Sequence, residues 1–400
     1  MGHMDTDKSL RVWIDGSPVG VLTQEGRRQY VFGYDPHVAK GVSLTMPIRR
    51  QSWVSDELHP IFQMNLPEGA LLEVIRRSIA KIIGDDDLSL LLATGGNQVG
   101  RNRFTLIDEE SPAAADEKES LEELLTYPDT KELFHELLNR YALRSGVSGV
   151  QSKVLLDATE RGTLASSSYI VKTWGADYPQ LAANEYFCMT AAKKAGLPVP
   201  EFRLADNGGL FIMRRFDHAP DGKFLGLEDM CSLQALGTAQ KYRGTYERVA
   251  KSLNEFVSGE FLLAARKQFF ATLILSSMIK NGDAHLKNFA VLYPALTGPI
   301  KMAPVFDIVT TTAYLHHDVP ALSLAGTKRW WPRKMLERFA MVHLSLPIGE
   351  INRTIERLAD AVMETRQMIP EYVVDHPEFR EVGGRMMSIW EEGVRGFLNR

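Results

Sequence analysis

Apolar and polar positions alternate in short runs through the first fifty residues. Runs rich in β-branched and aromatic side chains occupy positions 11–14, 19–22 and 30–34, and turn residues such as Gly16 separate them. Runs of this length, bounded by turn residues, are typical of strands joined by tight connections. The pattern predicts a β meander at the start of the chain.

The spacing of the apolar residues changes after Gly69. Apolar residues then recur every three or four positions as far as residue 83, and Gly84 supplies a stop. This spacing predicts one helix of about four turns. Residues 108–119 are acidic, contain Pro112 and lack large apolar side chains, so we expect a surface loop that runs into a helix start.

Strand patterns return from residue 144. Residues 153–156 and 168–172 predict two strands of a hairpin, and residues 184–195 have helical spacing. Two further strands, 202–204 and 210–213, flank a turn at 207–209, and beyond Asp217 nearly all of the periodicity is helical.

These patterns predict an α+β fold with two lobes, mixed in the first half and mainly helical in the second. The expected units are an N-terminal β-rich subdomain (5–107), the rest of the N-terminal lobe (108–216) and a helical C-terminal lobe (217–400). Residues 1–4 resemble a cloning remnant and are excluded from the fold argument.

Composition narrows the class of protein. The 400 residues are 44% hydrophobic and 24% charged, close to the average for globular proteins. The most apolar stretch, 261–279, is interrupted by Arg266 and Lys267, which favours a buried helix over a membrane span. No secretory signal is evident, and two cysteines do not make a disulfide framework, so we expect a cytoplasmic protein. A net charge of −4 gives no general attraction to nucleic acid.

The loop after this apolar helix contains Asp283 and, five positions later, Asn288. Kinases use an Asp and an Asn at this spacing to orient the attacking hydroxyl and to hold Mg²⁺. Alone the pair is a weak signal, because both residues are common in loops. Asp307 strengthens it. The apolar run 303–309 predicts a strand that forms a hairpin with 290–293, and an Asp that points inward from such a strand is costly unless a cation or a donor meets it. The alternative is an exposed Asp that caps a turn.

Lys172 ends a strand that the pattern predicts to be buried, and Glu185 lies thirteen residues later in a helix pattern. This placement matches the phosphate-pairing lysine of kinases and its glutamate partner. The alternative is a surface lysine and an unrelated glutamate.

Two further segments are candidates for nucleotide binding. The Gly- and Ser-rich residues 145–151 precede Lys172, and their backbone amides are able to approach phosphates. An ordinary turn would look similar. Residues 211–217 predict a hinge between the lobes, where Met213 or Phe216 would lie against an adenine ring, and a plain linker is the alternative.

Six ordered motifs together resemble the HipA-type toxin kinases, from about Leu10 to the end of the chain. They are Ser-Gly-Val-Gln-Ser-Lys at 148–153, Ile-Val-Lys at 170–172, Asn-Glu at 184–185, Arg-Phe-Asp at 215–217, Gly-Asp-Ala-His-Leu-Lys-Asn-Phe at 282–289 and Pro-Val-Phe-Asp at 304–307. The early segments 44–47 and 65–69 also match.

The resemblance implies a two-lobed serine/threonine protein kinase fold related to lipid kinases, with ATP and Mg²⁺ as cofactors. It implies a toxin held by a helix-turn-helix, HipB-like antitoxin, with DNA contacted only through that partner. The implied substrate is an aminoacyl-tRNA synthetase, whose phosphorylation arrests translation and growth.

The resemblance also assigns residues. Asp283 and Lys172 would be catalytic, with Asn288 and Asp307 holding Mg²⁺. The remaining cofactor contacts would come from Lys172 again, Glu185, Ser148, Gly149, Gln151, Met213, Arg214, Phe216, His285 and Lys287.

The family autophosphorylates a serine near its Gly-x-Gln segment, and here Ser148 is the predicted site, with Ser145 second. Ser152 stands where Pro or Glu is usual. Arg214 stands where a relative has a hinge glutamate, so backbone contacts to adenine are expected there.

Two rival functions stay open from the residues. A small-molecule kinase of the aminoglycoside type shares the Asp-x₄-Asn centre but lacks the loop at 148–151 and the β meander. A non-catalytic, antitoxin-binding regulatory module would not need Asp283, Asn288 and Asp307 together.

Overall fold

The computed structural model describes residues 8–26, 29–79, 83–84, 86–112, 118–141, 151, 153–159 and 166–399. Ser145, Ser148, Gly149 and Ser152 lie outside these ranges.

The predicted β meander is present. Strands β1 (Lys8–Ile14), β2 (Ser17–Glu25), β3 (Gln29–Tyr34) and β4 (Trp53–Ser55) run antiparallel, and a later strand, β5 (Asn102–Leu106), pairs with β1, so that the sheet order is β4-β3-β2-β1-β5. Asp15 and Gly16 make the first turn with φ values of +47° and +69°. Leu10 pairs with Leu22, and Val12 pairs with Phe104; all four are buried, so the strand alternation buries one face of the sheet.

Three helices connect β4 to β5: α1 (Pro60–Gln63), α2 (Gly69–Ile79) and α3 (Asp87–Thr94). The helix predicted from Gly69 is α2, and Gly84 has a φ of +93°, which fits its predicted role as a stop. Residues 80–82, the end of that prediction, lie outside the described part of the chain.

The second sheet follows. It has the order β6-β7-β8-β10-β9, with β6 (Glu119–Ser120), β7 (Lys153–Thr159), β8 (Ser166–Lys172), β9 (Phe202–Leu204) and β10 (Phe211–Arg214). Helices α4 (Leu121–Thr126) and α5 (Thr130–Tyr141) precede β7, and α6 (Leu181–Lys194) connects β8 to β9. The hairpin register places Lys153 opposite Lys172. Both lysines therefore lie on the same face of the sheet.

A small third sheet lies in the C-terminal part of the chain. Its strands are β11 (Gly226–Asp229), β12 (Ala290–Tyr293) and β13 (Lys301–Met302). The prediction of a strand over 303–309 is wrong, because the strand ends at Met302. Pro304 has no N–H to donate, and Val305 donates instead to the carbonyl oxygen of Pro198.

The C-terminal lobe is helical: α7 (Met230–Leu233), α8 (Tyr246–Phe256), α9 (Gly259–Met278), α10 (Arg333–His343), α11 (Ile348–Asp375) and α12 (Arg380–Leu398). Helix α9 packs against α8, α11 and α12, and its second half is buried. Within the described residues, no helix combines the length and apolar character needed to cross a membrane. The predicted α+β class with two lobes is confirmed, while the proposed domain boundaries stay predictions.

Candidate active site

A cavity of about 640 Å³ opens between the second sheet and the loops that follow α9 and β13. Its wall includes most of the predicted site residues that the structure describes, namely Gln151, Lys172, Met213, Phe216, Asp283, His285, Lys287, Asn288 and Asp307. Lys172 and Asp283, which are 111 positions apart in the sequence, therefore lie in the same cavity.

Lys172 is the centre of a buried charge cluster. Its Nζ lies 2.6 Å from Glu185 Oε1 and 2.6 Å from Asp307 Oδ1. Burial alone would lower the pKa of Lys172, but the charges of Asp307 and Glu185 outweigh it and hold that pKa above its ordinary value. The ammonium group is therefore charged, and Lys172 forms part of the cavity wall.

The two carboxylates of this cluster differ. Burial raises the pKa of Glu185, whose side chain is 0% exposed, and Lys172 opposes the rise only in part. The Asp307 side chain is 28% exposed. Burial would raise its pKa too, but Lys172 and Lys153 hold it below the ordinary value, so Asp307 is an anion.

Asp307 has a left-handed backbone with φ +59°, which is uncommon for a residue other than glycine. The segment is held on both sides: Val305 N–H donates to Pro198 O, and Thr310 exchanges two hydrogen bonds with the side chain of Asn184, at 2.8 and 3.1 Å. Helix α6 thus positions both Glu185 and the backbone around Asp307.

Asn288 lies beside Asp307, and its Nδ2 donates to the Asp307 carbonyl oxygen at 3.2 Å. A carboxylate and an amide oxygen at the edge of a cavity are donors that suit Mg²⁺. Among the described residues no group of three or more His, Cys, Asp or Glu side chains could hold a metal ion. The residues present fit a cation that takes its other ligands from a bound phosphate and water.

Asp283 lies in the loop after α9 and is 43% exposed at the side chain. Its Oδ1 accepts a hydrogen bond of 2.7 Å from the Tyr242 hydroxyl, and its carbonyl oxygen accepts one from His285 N–H at 2.7 Å. Gly282 N–H donates to Thr311 Oγ1 at 2.8 Å. The loop is ordered by these contacts, and one carboxylate oxygen of Asp283 already accepts from a hydroxyl group.

The side chain of Asp318 packs where a Cβ on Gly282 would stand, so a larger residue at that position would require Asp318 to shift. His285 is buried, and burial lowers its pKa although Asp283 opposes the shift. A neutral imidazole next to Asp283 leaves the carboxylate of Asp283 free to act as an acceptor.

Residues of the predicted hinge behave differently from one another. Met213 is buried and lines the cavity, as does Phe216, whose ring centre is 5.2 Å from that of Phe306. Arg214 is exposed and absent from the cavity wall: its N–H donates to Glu201 O at 2.8 Å, and its guanidinium pairs with the Glu201 carboxylate at 3.2 Å. Because residues alternate along β10, the side chain of Arg214 faces solvent, and the backbone contact to adenine expected there stays a prediction.

Gln151 is the described residue of the predicted phosphate loop. It lines the cavity, and its Nε2 donates to Thr173 O at 3.1 Å.

On either side of the cavity-lining Phe216, Arg215 and Asp217 form a buried anchor. Arg215 pairs with Asp217 at 2.6 Å and donates to Asn97 Oδ1 and Gln98 O, while Asp217 accepts from Gly100 N–H at 2.7 Å. These bonds dock the segment before β5 onto the residues that follow β10.

Comparisons with known proteins agree with this architecture. Residues 145–366 match the family model described as HipA-like C-terminal domain, and residues 10–105 match the HipA N-terminal domain. The chain belongs to the HipA family.

Two relatives of this HipA-family chain come from Sinorhizobium fredii. One, named "Putative kinase Y4dM", is 26% identical over 396 residues, covering 87% of this chain and 90% of the relative. The other, named "Putative kinase Y4mE", is 28% identical over 406 residues, covering 92% and 94%.

A solved structure of HipA from Shewanella oneidensis, in a toxin–antitoxin complex with HipB and operator DNA, superposes with a TM-score of 0.71. The two chains are 18% identical in sequence, and the superposition covers 97% of each. The likeness extends over the whole fold and confirms the predicted fold class, while the two family models confirm the predicted family.

The structure adds residues to the HipA-family site that the sequence patterns did not single out. Lys153 is 5% exposed on the cavity wall, where burial lowers its pKa, and Lys241, Tyr242 and Asp229 line the same wall. The β7–β8 register could have identified Lys153, since it pairs directly with Lys172. The others reach the site only through the tertiary fold.

Proposed function

We propose that this HipA-family chain is an ATP- and Mg²⁺-dependent serine/threonine protein kinase. One observation carries the proposal: Lys172 bridges Glu185 and Asp307 in the cavity that also contains Asp283 and Asn288. A lysine braced by a helix glutamate, opposite an Asp-x₄-Asn loop and a second Asp, is the set of groups that phosphoryl transfer requires.

Each residue then has a role. Lys172, held by Glu185, binds phosphate oxygens of ATP. Asn288 and Asp307 hold Mg²⁺, which supplies positive charge to neutralise the phosphates. Asp283 orients the acceptor hydroxyl and takes its proton, as the new oxygen–phosphorus bond forms and the bond to the ADP oxygen breaks.

The transfer itself is tested with Asp283→Asn, which keeps the shape of the side chain but cannot accept the proton. We expect the rate of phosphate transfer from labelled ATP to fall by about 10²-fold or more, the usual contribution of a general base. Asp360→Asn, on the exposed face of α11, is the matched control and should retain the wild-type rate. Equal rates in the wild type and Asp283→Asn would overturn the proposal, and no ATP turnover by the wild type would favour a non-catalytic module.

The acceptor is proposed to be a serine of a protein, with an aminoacyl-tRNA synthetase as the target and growth arrest as the outcome. This step is supported by the motif resemblance. A phosphoproteome recorded after induced expression of the wild type and of Asp283→Asn tests it. Absence of any synthetase phosphopeptide specific to the wild type would contradict it, and small-molecule phosphorylation would favour the aminoglycoside-type alternative.

Autophosphorylation at Ser148, with Ser145 as the second site, is a separate proposal about residues outside the described ranges. Intact mass after incubation with Mg-ATP should show one added phosphate in the wild type and none in Ser148→Ala. If Ser148→Ala gains phosphate at the full rate and Ser145→Ala does not, the order of the two sites is reversed.

We propose a helix-turn-helix antitoxin as the partner, with DNA reached through it and the cytoplasm as the compartment. The HipB and operator DNA present with the Shewanella oneidensis HipA support this partner class. Co-purification with a helix-turn-helix protein encoded beside the gene is the direct test, and failure of the two to associate would contradict it.

A further inference from the structure

Glu68 lies immediately before α2, in the N-terminal part of the chain, yet it contacts the C-terminal lobe. Its Oε2 lies 2.7 Å from Lys241 Nζ, and its Oε1 lies 3.0 Å from Lys287 Nζ. Lys287 Nζ also donates to the carbonyl oxygen of Met64 at 3.2 Å. One carboxylate therefore joins two lysines that are 46 positions apart in the sequence.

Both lysines belong to the wall of the cavity. Lys287 is four residues after Asp283 and immediately before Asn288, in the loop assigned to catalysis. Lys241 supports the same loop through its backbone, because its carbonyl oxygen accepts from Leu286 N–H at 3.1 Å. A shift of either lysine would therefore shift the groups proposed to act on the phosphate.

The charges explain why a carboxylate is needed here. Each lysine side chain is only 9% exposed, so two ammonium groups would face each other with little solvent to screen them. Burial would raise the pKa of Glu68, but Lys287 and Lys241 outweigh it and the pKa lies below the ordinary value. Asp229 is the other acid that interacts with Lys287.

We propose that Glu68 is a positioning residue: through it, the N-terminal part of the chain holds Lys241 and Lys287, and with them the Asp283–Asn288 loop, at the phosphate end of the cavity. The inference rests on the proposed kinase function. It assigns to the motif at 65–69 a role in turnover, beyond the docking of one segment on another.

A matched control separates the two roles. Gln63 docks the same segment on the same lobe, since its Oε1 accepts from Thr238 N–H at 3.1 Å and its carbonyl oxygen accepts from Thr238 Oγ1 at 3.2 Å. It is absent from the cavity wall and contacts neither lysine in the described structure. Gln63→Ala therefore removes the side-chain hydrogen bond to Thr238 N–H and leaves both ion pairs of Glu68 in place.

The experiment compares kcat and KM for ATP, with the melting temperature, in Glu68→Gln, Glu68→Asp and Gln63→Ala. We expect Glu68→Gln to lower kcat by about 10- to 100-fold with KM for ATP changed by less than about threefold, because misplaced groups cost transition-state stabilisation more than ground-state binding. Glu68→Asp should recover part of kcat, and Gln63→Ala should keep kcat within about twofold even if it melts earlier.

A double variant completes the test. In a Lys287→Met background, Glu68→Gln should lower kcat little further, because the two residues act as one unit. Unchanged kcat in Glu68→Gln, or a fall that Gln63→Ala reproduces at equal loss of melting temperature, would overturn the proposal. An inactive wild type would instead refute the kinase function, so the two failures are distinguishable.

Discussion

Replacing Lys172 by Met would test the buried charge cluster that underlies the candidate active site. Methionine keeps the apolar stem but removes the ammonium group that pairs with Glu185 and Asp307. Asp307 faces the cavity and can be hydrated, since its side chain is 28% exposed. Glu185 cannot, because its side chain is 0% exposed. The main loss of stability therefore comes from Glu185.

Removing one partner of a buried ion pair costs about 3–5 kcal/mol. Glu185 limits this cost by taking up a proton. Since the ordinary pKa of Glu is 4.5, neutralising it costs about 3 kcal/mol at pH 7 and less than about 1 kcal/mol at pH 5. A carboxyl group whose folded pKa is raised contributes stability below its ordinary pKa and loses it as the pH rises. Lys172→Met should therefore be destabilised by about 3 kcal/mol at pH 7 and much less at pH 5.

Urea unfolding followed by circular dichroism at both pH values measures this difference. The double variant Lys172→Met with Glu185→Gln is the control, because it removes the unpaired carboxyl and should recover most of the loss at pH 7. The reasoning is refuted if the single variant is as stable as the wild type at pH 7, or if adding Glu185→Gln lowers its stability further.

Two further predictions concern stability. Burial lowers the pKa of His59 to about 4 from 6.5, so the unfolded chain binds a proton that the folded chain does not, and the free energy of unfolding should fall by up to about 3 kcal/mol as the pH drops from 6.5 to 4. Melting curves across this range should show a smaller fall in His59→Asn, which retains a capping side chain for α1, and equal falls would contradict the assignment. Asp217→Asn leaves Arg215 buried without its carboxylate and should cost about 3–5 kcal/mol in urea unfolding. Arg214→Ala, which removes an exposed pair with Glu201, should cost less than about 1 kcal/mol, and similar losses in the two variants would show that burial does not govern the cost.

Local patterns were sufficient for several elements of the site. The strand ending at Lys172 and the helix containing Glu185 follow from hydrophobic spacing, and the twelve residues between the two correspond to a connection and the first turn of α6. The loop with Asp283 and Asn288 follows a helix that was identified by its apolar length. In each case the deciding interactions lie within the element or next to it.

The strand predicted around Asp307 was wrong for the opposite reason. The apolar run 303–309 has a strand-like composition, but Pro304 has no N–H for strand pairing. The backbone N–H groups of Val305 and Thr310 donate instead to Pro198 O and Asn184 Oδ1, more than one hundred positions away. The φ of +59° at Asp307 depends on those contacts and leaves no mark in the residue itself.

Periodicity thus predicted the α+β class, motif spacing predicted the order in which the charged groups follow one another along the chain, and the resemblance of those motifs pointed to the family. The tertiary structure alone decided that Arg214 faces solvent, that Lys153 shares the cavity with Lys172, and that Glu68 pairs with two lysines 173 and 219 positions further along. The physical reason is that strand and helix formation depend on neighbours in sequence, whereas buried charges are paired by whichever segments the packing brings within hydrogen-bond distance.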